Sequence, residues 1–502
     1  MKIFRGYEQS QEFLLPPSLD EFIIQDHEVR IINDVVNRLD LSGIRDKYNG
    51  GGAPAYDPAM MLKVLIYAYS LGIYSSRKIV QELKTDTAFM YLSAMQCPDF
   101  RTFCLFRSSN TEVLPEIFVQ VVRLCASLGM VKLGHIAIDG TKLKANASVR
   151  RSLRKDEVER EIERVKSEIK GIIKVSEAID KEEDEQYPDG DGSEMPKDLQ
   201  DKEYRLKKLK EAQELLEKEK LHKINLTDPE ARLMKNKQHR IEPAYNVQVA
   251  VDAQDQIIVA TDVIQQSADY EGFQKMLQQT QENLGRFPDQ VSADSGYFTY
   301  DNLEYADRVG VDAFIPDNML RWLEKQTDSE KRYDKSNFQY DVCQDAYICP
   351  EGKLLNRYSK AKYKGKSVIL YRGRLCADCE AKNKCTHARS RIIWRDGRES
   401  LVLQMREKLR SEHGRQTYLR RMYTVEPVFG DMKWNRNKRA TNLRGLARVR
   451  VDFLLMCTAH NIRKLIKRIH QAALSLPLSK PTHMHPISNW RFPEYLIWQA
   501  CL

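Results

Sequence analysis

From "GHIAIDGTK" at 134–142 to "VDAFIP" at 311–316 the chain alternates short apolar runs with longer amphipathic ones. That alternation restricts it to a mixed α/β sheet with flanking helices. "HIAIDG" reads as a strand. "AYNVQVAVDA" and "IIVATDVIQ" read as two more, joined by "QDQ" as a hairpin. "DYEGFQKMLQQTQENLG" predicts a helix ending at Gly285. "QVSADSG" is a short strand, "TYDNLEYADRVG" a helix and "VDAFIP" a last strand. The order emerges once a segment of different character, about 152–222, is set aside. There Val158, Ile162, Val165, Ile169, Ile172 and Ile179 keep a four-three alternation, the seam of a coiled coil. "EEDEQYPDGDGSEMP" breaks it and "EYRLKKLKEAQELLEKEK" resumes it, which predicts an antiparallel helical hairpin with a solvated charged face, or one that meets a partner.

The flanks are helical. "EVRIINDVVNRL" places Val29, Ile32, Val35, Val36 and Leu39 at helical spacing. Asp57 and Pro58 form a cap and first-turn pair for the run that follows, and Ser75 or Ser76 opens another. Residues 1–130 thus form an all-α N-terminal domain. Its Arg77, Lys78, Lys84, Arg101 and Arg107 suit either a helix-turn-helix DNA contact or a plain bundle. No apolar run approaches the ~18–20 residues of a membrane span. Ten cysteines without an apolar leader point to a reducing, cytoplasmic setting.

Two short strands end on carboxylates, at Asp139 and Asp294. For Asp139 alone the plain reading is an Asp-Gly turn. The strand and helix order resembles an RNase H-like sheet, where the first strand is central and the fourth pairs beside it. Asp139 and Asp294 would then stand side by side and repel unless a cation intervened. Hard oxygen donors suit Mg²⁺. Asp252 and Asp262 also follow strand-like runs and read as turn or edge residues. A third carboxylate, Glu426, lies in "RRMYTVEPVFGDMKWNR", where Pro427 predicts a cap or kink. A helix would bring Gly430 and Lys433 to the face of Glu426.

"AIDGTKLKANAS", "SADSGYF" and "YTVEPVFGDMKWNRNKRATNLRGLARVRVDFLLMCTAHNIRKL" resemble the three catalytic blocks of bacterial insertion-sequence DDE transposases. "YDPAMMLKVLIYAYSLGIYSSRKIVQEL" resembles the InsH-like domain that precedes the core in these enzymes. The resemblance implies Asp139, Asp294 and Glu426 as a triad holding two Mg²⁺ or Mn²⁺ ions, with Lys433 nearby. It implies a Tyr and an Arg as well, and leaves Tyr418 or Tyr423 and Arg421 or Arg420 open. It further implies double-stranded DNA, both element ends and target, as partner, a homodimer on that DNA, and a nucleoid-associated cytoplasmic enzyme that cuts DNA and joins 3′-hydroxyls by two-metal phosphoryl transfer. A nuclease on the same fold and a non-catalytic DNA binder are the alternatives. The catalytic core would span 131–316 and 411–470, interrupted by a Cys-rich basic insertion at 317–410, with a tail at 471–502.

The overall charge, +9 from 80 basic and 71 acidic residues, is modest, but from Met432 to Arg468 eleven Lys/Arg face one acid, Asp452. One-sided charge of this kind suits phosphate. Lys142, Arg421, Lys433, Arg436, Lys438, Arg439 and Arg444 are the candidate DNA contacts. Trp434 either stacks on a base or, the favoured reading, fills a core groove. In the insertion, Cys349, Cys376, Cys379 and Cys385 have the layout of a structural zinc site, with Cys343 and His387 as substitute ligands.

Overall fold

The computed structural model describes residues 18–48, 54–186, 197–236, 238–317, 332–363 and 366–475. Of the tail expected at 471–502, the part beyond residue 475 lies outside them. Seven helices lead the chain: α1 (Glu28–Arg38), α2 (Ser42–Arg45), α3 (Pro58–Ser70), α4 (Ser76–Thr85), α5 (Thr87–Ser93), α6 (Phe100–Ser109) and α7 (Leu114–Ser127). Asp57 caps α3 by accepting the Ala59 N–H at 2.6 Å, with Pro58 in the first turn where its missing N–H costs nothing. Ser75 is the N-cap of α4 without a side-chain capping bond, while the Ser76 hydroxyl is buried and accepts from Arg107 at 2.6 Å. Arg107, 3 % exposed, is therefore an internal side chain and not a DNA contact.

The central sheet contains β1 (His135–Lys144), β4 (Arg232–Lys235), β5 (Ile241–Asp252), β6 (Ile258–Ile264), β7 (Gln290–Ala293) and β8 (Asp312–Phe314). Its order is β4-β5-β1-β7-β8, with β6 also on β5. β1 is antiparallel to β5 and parallel to β7, and β7 is parallel to β8. Helix α10 (Tyr270–Leu284) links β6 to β7 and ends at Gly285 with φ +80°, the left-handed cap glycine accepts readily. Helix α11 (Tyr300–Arg308) links β7 to β8. The expected order of three strands, helix, strand, helix, strand is present with one strand more, β4, which pairs with β5 and whose short "RLMK" run carries no strand signal of its own.

One expectation needs correction. β1 does not end at Asp139 but runs on to Lys144, paired with β5 throughout. What ends beside Asp139 is the parallel ladder with β7, whose last pair is Ile138 with Ala293. The Asp-Gly turn is also excluded, because Gly140 lies within the strand opposite Gln248. A Cβ there would stand 2.2 Å from the Gln248 amide nitrogen, so the glycine admits that side chain.

Short β2 (Ser152–Arg154) and β3 (Lys223–Asn225) pair at the base of a hairpin of α8 (Lys155–Gln186) and α9 (Lys197–Lys218). Val158, Ile162 and Val165 bury against Leu209, Ala212 and Leu216, the seam the heptad spacing predicts. The side chain of Ile179 lies outside the described residues.

The Cys-rich segment is a separate antiparallel sheet: β9 (Gln339–Asp341), β10 (Ala346–Ile348), β11 (Leu354–Tyr363), β12 (Lys366–Gly373) and β13 (Ile392–Arg395). A short helix, α12 (Lys382–Cys385), lies between β12 and β13. The chain returns through α13 (Glu399–Arg410), α14 (Glu412–Thr424), α15 (Glu426–Gly430), a π-helical turn (Asp431–Asn435) and α16 (Leu446–Ser475). Helix α14 crosses β1, β7 and β8, whereas α16 lies against α3, α7 and β6. One apolar core consequently runs from Val29 and Leu65 through Ile138 and Val249 to Leu455 and Ile462.

Candidate active site

Asp139 sits where β7 stops pairing with β1, and Asp294 is the next residue of the β7 chain. The parallel register thereby brings the two carboxylates together. Asp139 is 15 % exposed; its Oδ1 accepts the Gly140 N–H at 2.9 Å. Asp294 turns its Oδ1 to the Gly296 N–H at 2.8 Å. Burial drives the Asp139 carboxyl up to about 6; the Arg421 guanidinium opposes this, and the Asp294 charge adds to it.

The third carboxylate arrives on α14–α15. Pro427 has no N–H to give the helical ladder, so the helix breaks at Val425 and restarts at Glu426. Glu426 is half exposed at the opening of α15. Between Asp139 and Glu426 lies Arg421, with Nη2 2.8 Å from Asp139 Oδ2 and Nη1 3.5 Å from Glu426 Oε1. A guanidinium thus bridges two of the three carboxylates. Its Nε is buried without a hydrogen-bond partner. Tyr418, one turn earlier, is close enough to act electrostatically on Arg421. Tyr423 is 76 % exposed, and Arg420 is exposed on the side of His135. The geometry favours Tyr418 and Arg421 over their neighbours.

Lys433 lies in the π-helical turn, and its Nζ donates to Thr141 Oγ1. Thr141 is two residues beyond Asp139 and hence on the same face of β1. The following loop docks on the end of that strand: the Lys144 N–H donates to Arg439 O at 3.1 Å and the Thr441 N–H to Lys144 O at 2.9 Å.

A fourth carboxylate was not foreseen. Asp269 lies between Gly140 and Gly296, 2.8 Å and 3.6 Å from the positions their Cβ atoms would take. It accepts from Asn246 at 2.6 Å, Gln248 at 3.0 Å and Lys142 at 3.1 Å. In sequence it reads only as the residue before a helix. Lys142, expected at DNA, is thus tied to Asp269 and to the Ser267 carbonyl. Asp252 accepts the Leu133 N–H at 2.8 Å, and Asp262 pairs with Arg450 at 3.0 Å; both serve the scaffold. Among the described residues, no group of three or more His, Cys, Asp or Glu side chains is already closed around a cation position.

The basic run divides in two. Arg436 and Lys438, expected at DNA, are each 3 % exposed. Arg436 pairs with Asp431 and Lys438 with Asp452, both at 2.6 Å, so both work inside the fold. Arg439 and Arg444 are exposed. Trp434 does not fill a groove: it is 71 % exposed, with the Arg439 guanidinium 4.1 Å from its ring centre. Arg444 and Arg448 line an open cleft with Arg101 of α6. Trp434→Ala is expected to leave the melting temperature unchanged and to weaken binding of DNA with an unpaired flank by about 1–3 kcal/mol. Unchanged affinity in a fluorescence-anisotropy titration would remove Trp434 from the interface.

Residues 348–466 match the family described as a transposase DDE domain, and residues 17–109 match a transposase domain (DUF772). The chain is a DDE-class transposase with this N-terminal transposase domain, an enzyme of DNA transposition. No curated protein and no solved structure matches it. Among the described residues no helix is long and apolar enough to cross a membrane.

Proposed function

We propose that this transposase cuts DNA at the ends of an insertion sequence and joins the freed 3′-hydroxyl to target DNA, using Asp139, Asp294 and Glu426 on an RNase H-like core. The observation that carries this reading is the Arg421 guanidinium bridging Asp139 to Glu426, beside Asp294. A cationic group already stands among carboxylates that disfavour being charged together, and the donors are hard oxygens. These residues fit divalent cations, which this class of enzyme typically uses. When bound, two Mg²⁺ or Mn²⁺ ions would activate the attacking oxygen and neutralise charge on the leaving one.

The chain's own side chains do the rest. The sheet fixes Asp139 and Asp294, while Glu426 comes from the opening of α15. Lys433, next to Thr141, binds a phosphate near the scissile bond. With cations bound, Arg421 would be freed from Asp139 and Glu426 to pair with phosphate. Arg439, Arg444 and the cleft with Arg101 and Arg448 hold the flanking duplex through its backbone. In this reading 1–130 binds DNA, 131–316 with 411–470 forms the core, the hairpin at 152–222 and the segment 317–410 are insertions, and 471–502 is a tail. Two ends must be joined in one event, so the active species is a homodimer on DNA, nucleoid-associated in the cytoplasm.

The test is a joining assay. DNA carrying the flanking ends of this protein's own gene, labelled at the 3′-end, is incubated with target DNA and Mg²⁺, Mn²⁺ or EDTA. Metal-dependent transfer of label to target is expected. Cutting without joining would make the chain a nuclease, and binding without cutting a DNA binder.

A further inference from the structure

The β9–β13 sheet is small. Its buried apolar cluster is Phe338, Tyr347, Leu355, Tyr371 and Ile393, little core for five strands. Units of this size usually need a disulfide or a metal to hold them. All nine cysteines among the described residues are free.

At one end of this sheet the loops gather four thiols. Cys349, Cys376, Cys379 and Cys385 line a single cavity with Phe338 and Leu355. Cys349 begins the β10–β11 turn, where the Gly352 N–H donates to Cys349 O at 2.8 Å and Gly352 takes φ +73°. That turn aims the Lys353 N–H at Cys349 Sγ, 3.3 Å away. Cys376 and Cys379 follow β12, and the chain turns after them, with the Lys382 N–H donating to Cys379 O at 2.9 Å. Gly373 keeps this approach open, because a Cβ there would stand 2.5 Å from Cys376 Sγ. Cys385 closes the set at the end of α12. Four sulfurs gathered on one cavity are the donor set that a soft cation such as zinc takes. The two substitute ligands drop out, since Cys343 and His387 are exposed and outside the cavity lining.

We propose that Cys349, Cys376, Cys379 and Cys385 bind one structural zinc ion that locks the loops of the β9–β13 sheet. Four sulfur ligands and no open position are the signature of a structural site. The sulfurs are not yet closed on a common point. Binding turns the side chains inward from loops that already surround the ion's place.

The experiment uses the full-length chain, purified from zinc-supplemented cells and passed through metal-free buffer. Elemental analysis is expected to find about one zinc per chain. Cys349→Ser and Cys379→Ser should each lose most of it. Cys343→Ser and Asp139→Asn should keep it, which separates this site from the carboxylates. Because the serine variants risk misfolding, the wild-type chain is also loaded with Co²⁺. The visible absorption of tetrahedral thiolate-bound cobalt is the expected result. Zinc retained in full by both serine variants would overturn the proposal. So would a wild-type chain with neither zinc nor the cobalt–thiolate spectrum.

Discussion

Asp139→Asn is expected to slow cleavage at the element ends by at least about a thousandfold while leaving DNA affinity within about threefold. Removing a carboxylate that holds a catalytic cation forfeits several kcal/mol of transition-state stabilisation, and about 4 kcal/mol corresponds to that factor. Asn keeps the volume of Asp and still accepts the Gly140 N–H, so the strand has no reason to move. The phosphate contacts proposed for Arg439, Arg444 and Lys433 lie on other elements and persist. The stability change separates this role from a structural one. Burial and the neighbouring Asp294 both disfavour charge on Asp139, with the Arg421 pair and the Gly140 N–H against them. A neutral Asn should therefore leave the unfolding midpoint unchanged or raise it, as happens where a functional site holds charge at a cost to the fold. Single-turnover cleavage, anisotropy titration and denaturant unfolding measure the three quantities. Cleavage at the wild-type rate would remove Asp139 from the site, and a large fall in the midpoint would make it a scaffold residue.

Much of this geometry is legible from the sequence, because the pairing of β1 with β7 follows from the order of strands and helices. Asp139 and Asp294 then become neighbours without any three-dimensional information. The extension of β1 past Asp139 was hidden, since "GTKLK" carries two lysines and a glycine and lacks an apolar run. Its pairing depends on β5, more than a hundred residues away. Asp269 was hidden for the opposite reason. Its local sequence gives it an ordinary place before a helix, and only the fold carries it to Gly140 and Gly296. The basic run shows where charge counting stops. It shows that positive residues gather after Glu426, but not which ones find an acid inside. Arg436 and Lys438 lie between exposed Trp434 and Arg439 with no local mark of their burial. The five-stranded Cys-rich sheet was equally opaque, because its strands are short or lysine-studded and its core is small.

Of the interactions that charge counting missed, the one around Asp452 has the largest expected effect on stability. Asp452, on α16, is 1 % exposed. Its Oδ2 accepts from Lys438 at 2.6 Å and from Thr441 at 2.8 Å, and its Oδ1 from the Tyr69 hydroxyl at 2.6 Å. Arg107 donates to the same Tyr69 oxygen at 2.9 Å. One carboxylate therefore ties α3 and α6 of the N-terminal helices to the basic loop and to α16. Burial alone would lift its carboxyl, but Lys438, with help from Tyr69 and Arg107, holds it below the usual range. Asp452→Ala strands two buried cations without a counter-charge, and the expected loss is about 3–5 kcal/mol. With an unfolding entropy of ~2.1 cal/mol/K per residue over a chain this long, that loss lowers the melting temperature by only roughly 3–5 °C if the chain unfolds as a unit. Denaturant titration is therefore the sharper measurement. Lys438→Met in the same chain removes one stranded charge and should recover part of the loss, which a double-mutant cycle resolves. Recovery would show a coupled pair, whereas strictly additive losses would mean that Asp452 acts through Tyr69 and Thr441 and that the ion pair contributes nothing. A partial loss of the N-terminal helices ahead of the sheet, seen as a separate transition, would show in addition that this cluster joins the two transposase regions.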